Sequence, residues 1–150
     1  MSDNLPPAIE YQGVHCTLAI NRPARAIVTV ILAGSDIDEF ADYPMQELAK
    51  DLQRFESIEL FIDARAVRGA SIEVSSRWAL WMRTHNTRLK QINMLTGSRY
   101  IDVTAKFVRR FVGLAVRMRI YTDAVAFEQS LAASIRSSQS RAQGARAAQG

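Results

Sequence analysis

Residues 57–76 read SIELFIDARAVRGASIEVSS. The run Ile58 to Ile62 is apolar, long enough for one buried strand and too short for a helix of ordinary length. Asp63 ends it, and Arg65, Arg68, Gly69 and Ser71 follow before apolar residues resume at helical spacing from near Val74, through Trp78, Trp81, Met82, His85 and Leu89. The stretch predicts a strand, a polar loop opening at Asp63, and a helix running to about Lys90. In an open α/β sheet the crevice beyond a strand's carboxyl end is where ligands and partners meet the fold, because amides at the next helix start point there. The segment Asp63 to Ser76 is therefore the first place to look for function.

Upstream, Val14 to Ile20 alternates, with Cys16, Leu18 and Ile20 on one face and His15, Thr17 and Ala19 on the other, the period of a strand covered on one side. Asn21 to Arg25 reads as a turn and Ala26 to Ala33 as an apolar strand buried on both faces, so the two form a hairpin. Gly34 and the acid-rich lead-in to Pro44 close that strand. Pro44 suits the first turn of a helix, which Met45, Leu48, Leu52 and Phe55 continue. Downstream, Gln91 to Leu95 is a further short strand. Ser98 is placed to cap a helix whose Ile101, Val103, Phe107, Val108, Phe111 and Val112 form a broad apolar face, with Lys106, Arg109 and Arg110 off it. Met118 to Tyr121, between Arg117 and Asp123, reads as a charged edge strand, and Ala124 to about Ile135 as a last helix. The order β-β-α-β-α-β-α-β-α predicts an α/β fold: a mixed, mainly parallel sheet after the opening hairpin, covered by about four helices.

Two passages, VTVILAGSDIDEF and LFIDARAVRGAS, resemble the STAS domain family of anti-sigma factor antagonists, stressosome subunits and SpoIIAA-like relatives, over about residues 12–134. The first is similar to the family's strand ending in Gly before an acidic lead-in, the second to its strand ending in an Asp-initiated loop. The resemblance implies a bacterial signalling module with a protein partner, either a kinase or anti-sigma-like regulator or further copies of itself, and a serine at the start of the second helix as the phosphorylated residue. Where phosphorylated antagonists carry Asp-Ser-Ser-Gly, this chain has Ala70-Ser71-Ile72-Glu73. Glu73 places a permanent charge near where a phosphate would sit, favourable at a helix N-terminus and consistent with a loop held in one state. SpoIIAA-like relatives imply an alternative, small-ligand or lipid binding in an apolar pocket beneath the helices.

The candidate docking or phosphorylation residues are Asp63, Arg65, Arg68, Ser71, Glu73, Ser75, Ser76 and Arg77. Phosphorylation of Ser71, Ser75 or Ser76 would add about −1.5 to −2 charges beside three arginines; the simpler role of such serines is to cap the helix, contributing ~1 kcal/mol. Trp78 and Trp81 fit core packing better than partner anchoring, and His85 a satisfied helix position. His15 and Cys16 are adjacent on a strand and point to opposite faces, which argues against a Cys-His dyad. Asp36, Asp38, Glu39 and Asp42 lack the Gly and terminal Glu of a calcium loop and read as a solvated lead-in. No phosphate loop, GxSxG elbow or HExxH occurs. The expectation is a non-enzymatic domain with no cofactor and no metal.

The chain has 150 residues, one cysteine and a net charge of +4. That length supports one domain with a sizeable core and no disulfide framework. Arg136, Arg141 and Arg146 stand in a C-terminal segment without acids, so the rest is close to neutral and nucleic acid is not the expected partner. The organisation read from sequence is a flexible lead-in over 1–11, a domain over 12–134 and a basic disordered tail over 135–150. With no signal peptide and no membrane-length apolar run, a cytoplasmic protein is expected.

Overall fold

A computed structural model describes residues 5–113 and 117–149, the side chains of 111, 112 and 149 excepted. Six strands form one sheet in sequential order: β1 (Ile9–Gln12), β2 (Cys16–Ala24), β3 (Ile27–Asp36), β4 (Ile58–Ala70), β5 (Leu89–Thr96) and β6 (Met118–Tyr121). β1, β2 and β3 run antiparallel, and β3 through β6 are mutually parallel. The helices α1 (Tyr43–Arg54), α2 (Ile72–Thr84) and α3 (Arg99–Val112) connect the parallel strands, and α4 (Ala124–Gln149) follows β6. Right-handed crossovers between sequential parallel strands put all three connecting helices on one face of the sheet. There Leu18, Ile20, Val30, Leu60 and Ile62 pack against Leu48, Leu52, Trp81, Met82 and Ile101. The opposite face carries Ile27, Phe61 and Leu95 and is covered by Phe127, Leu131 and Ile135 of α4, with Phe61 and Phe127 edge to face at 5.9 Å. Burial on both faces is why residues 58–62 read as a near-continuous apolar run.

The mixed, mainly parallel sheet after an antiparallel start is the expected architecture, and five differences modify it. The second helix, read to about Lys90, stops at Thr84, and Leu89 and Lys90 open β5. β1 adds an antiparallel edge strand inside the segment read as a lead-in. Ile9 and Tyr11 alternate inward, a signal too short to outweigh Pro6 and Pro7; residues 1–4 lie outside the described residues. Asn21 to Ala24 belongs to β2, with a bulge absorbing Pro23, and the chain reverses at Arg25 and Ala26, the latter in the left-handed region at φ 63°. β4 does not stop at Asp63 but continues through Ala70, paired with β5 to Ala64 and with β3 to the end. Finally, α4 does not end near Ile135. It continues to Gln149, because Ala, Gln and Arg are good helix formers and Ser138, 4% exposed, donates its hydroxyl to Arg25 O at 2.7 Å. Gly150 lies outside the described residues.

Opposite charges are buried together between β2 and α1. Arg22 of β2 enters the interface with α1, where Nη2 lies 2.8 Å from Asp51 Oδ2 and Nη1 lies 3.1 Å from Glu47 Oε1. The remaining guanidinium donors reach Pro7 O and Glu47 O. Glu47 and Asp51 are four apart on α1 and so share its inner face.

Candidate functional site

The carboxyl ends of β3 and β4 lie side by side, with Ser35 opposite Gly69 and Asp36 opposite Ala70. From there the chain turns directly into α2. Ser71 N donates to Asp36 O at 2.8 Å, and Ser71 Oγ accepts from Val74 N at 3.2 Å, which makes Ser71 the helix cap. The candidate residues do not form one exposed loop. Asp63 and Arg65 lie within β4 on the face covered by α4, where Arg65 bridges Asp63 at 2.9 Å and Glu128 at 3.0 Å. Hydrogen bonds that Arg65 donates to those two carboxylates raise its guanidinium pKa further. Arg68 is exposed on the last part of the strand. Ser71, Glu73, Ser75, Ser76 and Arg77 are gathered in the opening turns of α2, on the other side of the sheet. The charges of 63–68 resemble a loop in sequence, yet they sit on a strand flanked by β3 alone beyond Ala64, where the backbone stays paired while side chains reach solvent. Gly97 is required beside it, since a Cβ there would stand 2.1 Å from Arg65 O.

The acidic lead-in between β3 and α1 is not simply solvated. Asp38 pairs with Arg77 of α2 at 3.0 Å and holds the guanidinium charged by hydrogen bonding. Glu39 accepts from Val14 N at 2.7 Å and His15 N at 2.8 Å; the bond from the His15 amide leads the effects that hold its carboxyl below the usual range. Asp36 is 6% exposed, and burial pushes its carboxyl up. Among the described residues no three His, Cys, Asp or Glu side chains converge on a point that would hold a metal. Trp78 and Trp81 pack edge to face at 6.1 Å against the core, and His85 lies 5.1 Å from Trp81, its imidazole pKa lowered by burial first and Arg88 second. Cys16 is buried and its thiol is pushed up to about 11 by that burial, an inert environment.

The feature that the candidate residues border is apolar. Ile72 and Leu80 on α2 are 82% and 65% exposed, and Tyr100, Val103 and Phe107 on α3 are 61%, 58% and 69% exposed. Ile72, Leu80, Tyr100 and Phe107 frame a groove of about 530 Å³ between the two helices, with Ser75, Ser76 and Thr104 in its walls and Arg83 at one end. Behind it, between the helices and the sheet, lies an apolar cavity of about 90 Å³. The broad face expected on α3 is thus divided. Ile101 and Val108 pack on the core while Val103 and Phe107 face water; Phe111 and Val112 lie outside the residues whose side chains are described. The signal was in the sequence, because Ile101 and Val103 are two apart and cannot share one helix face. Leu80, two residues from both Trp78 and Met82, is excluded from the core by the same geometry.

No family model and no curated protein matches the sequence. Solved structures do. An uncharacterized protein from the DUF3478 family with a SpoIIAA-like fold, from Shewanella loihica, superposes with a TM-score of 0.58 at 15% identity, covering 87% of this chain and 98% of that one. An anti-sigma factor antagonist from Mycobacterium paratuberculosis gives a TM-score of 0.46 at 14% identity, covering 77% and 93%. On the first of these superpositions the chain has the SpoIIAA-like fold of the family that its sequence resembles. No helix among the described residues is long and apolar enough to cross a membrane.

Proposed function

We propose that this SpoIIAA-like fold serves as a non-enzymatic docking module of bacterial signalling, in which the groove between α2 and α3 receives an amphipathic, acid-flanked segment of a partner protein. The observation that carries the reading is the set of large apolar side chains left in water on both walls of one groove. Clustered exposure of that kind, in contrast to single exposed residues, marks interaction surfaces, and two parallel helix walls suit a helix or extended segment laid between them. Charge selects the segment. The lining holds one charged side chain, Arg83, and no acid.

Ser76 is the exposed hydroxyl of the groove wall, whereas Ser71 is engaged as the cap and Ser75 is half-buried. A kinase acting on Ser76 would put about −1.5 to −2 charges on that wall and oppose an acidic occupant. The cavity favours a second reading, in which a small apolar molecule or lipid chain is bound beneath α2 and α3; native mass spectrometry of the freshly purified chain would show it as a persistent added mass.

The docking reading is tested by placing a photo-crosslinking amino acid at position 80 in the source cells, with position 17 on the other sheet face as control. The expected result is an adduct through an apolar segment flanked by Asp or Glu, lost with Phe107→Glu and weakened by Ser76→Glu. Equal labelling from both positions, or adducts only to lipid or to a second copy of the chain, would overturn it.

A further inference from the structure

The groove and the cavity share a wall. Ala70, Ser75, Thr104 and Val108 line both, so these side chains stand between the surface trough and the space above the sheet. Ser75 and Thr104 are small, and the cavity behind them is bounded by Met82, Met94 and Met118. Unbranched thioether side chains are the most adaptable lining a core offers. Resting on the docking reading, we propose that the partner segment is anchored by a single aliphatic side chain, Leu, Ile, Val or Met, which passes between Ser75 and Thr104 into this cavity while the rest of the segment lies in the groove.

Size and chemistry narrow the anchor. At about 90 Å³ the cavity is smaller than the roughly 150 Å³ apolar cavity that accepts benzene, which favours a branched aliphatic group or Met over an aromatic ring. Its lining is apolar apart from the two hydroxyl residues and Asp36, whose buried carboxyl excludes an acidic anchor by like charge. Acidic residues of the segment are thereby sorted to the rim, toward Arg83. A fully desolvated pocket at the centre of a contact, ringed by polar groups, is where binding energy concentrates.

The probe is a display library of random 12-residue segments selected on the full chain. The expected recovered segments carry one Leu, Ile, Val or Met with Asp or Glu nearby, and changing that residue to Ala weakens binding at least tenfold. Ala105→Leu, which fills the cavity from α3, weakens it by the same factor and leaves the anchor's Ala variant unaffected; Ala64→Val fills the cavity from the sheet and serves if Ala105→Leu lowers the melting temperature. Segments that bind both filled variants as tightly as the native chain, but are lost with Leu80→Glu, would overturn the anchor and leave groove docking intact. Failure to recover any segment sensitive to Leu80→Glu would overturn both.

Discussion

The two sides of the helical layer treat polarity in opposite ways. Under α1, Arg22 is drawn out of water to meet Glu47 and Asp51, with side-chain exposures of 1%, 7% and 0%. Across α2 and α3, Ile72, Leu80, Tyr100 and Phe107 are left in water. The first region is finished: each ionic group has an opposite charge, and carbonyls take the remaining donors. The second leaves large apolar side chains more than half exposed among the described residues. Buried charge that is fully satisfied is a matter of folding, and removing one partner strands the other. Exposed apolar area contributes nothing to folding, so its substitution touches only what would cover it.

The contrast can be broken most forcefully at Arg22. Asp51→Ala should cost about 3–5 kcal/mol by leaving a buried guanidinium without its carboxylate, measured as a fall in the urea midpoint, and a loss under 1 kcal/mol would show the pair to be solvated. Ser71→Ala removes the α2 cap and should cost about 1 kcal/mol; Ser71→Asp, which keeps an acceptor, should restore most of it in the same assay. Ile72→Glu with Leu80→Glu should shift stability by no more than about 0.5 kcal/mol while abolishing cross-linking through the groove, and a large loss of stability would place those side chains in the core. The smallest effect concerns Asp36. Its folded carboxyl holds a proton more tightly than the unfolded one, so stability falls as pH rises from the ordinary carboxylate range through the raised folded value and is flat above it. Asp36→Asn should remove that slope, read from chemical-denaturation midpoints between acid and neutral pH, and an unchanged slope would assign it to another group.

Much of this molecule could be read from its residues, and the failures have physical causes. The alternation of Val14 to Ile20, the apolar run Ile58 to Ile62 and the spacing of Met45, Leu48, Leu52 and Phe55 placed the hairpin, the central strand and α1, because each pattern matches one burial geometry. The strand beyond Asp63 was missed because Arg65 and Arg68 are charged, and charge says where a side chain points, not whether its backbone is paired. Arg22 was hidden in what reads as a turn. Its carboxylate partners are 25 and 29 residues away, and no local pattern signals them. The helix beyond Ile135 was missed because its composition lacks an apolar stripe, while the contact that holds it, Ser138 to Arg25, spans 113 residues. At the candidate site, Ser71 was legible as a cap. The groove was legible in part, since Leu80 is out of phase with the core of its own helix, but its existence depends on α2 and α3 lying side by side.

Tyr43 on α1 and Tyr100 on α3 provide a matched pair, both 61% exposed, one beside the satisfied region and one on the groove. Hydroxyl-radical footprinting compared between the purified chain and the source cells measures coverage of the two directly. Both tyrosines should oxidise equally in the purified chain, with Tyr100 selectively protected in cells. Equal oxidation of the two in cells would contradict it.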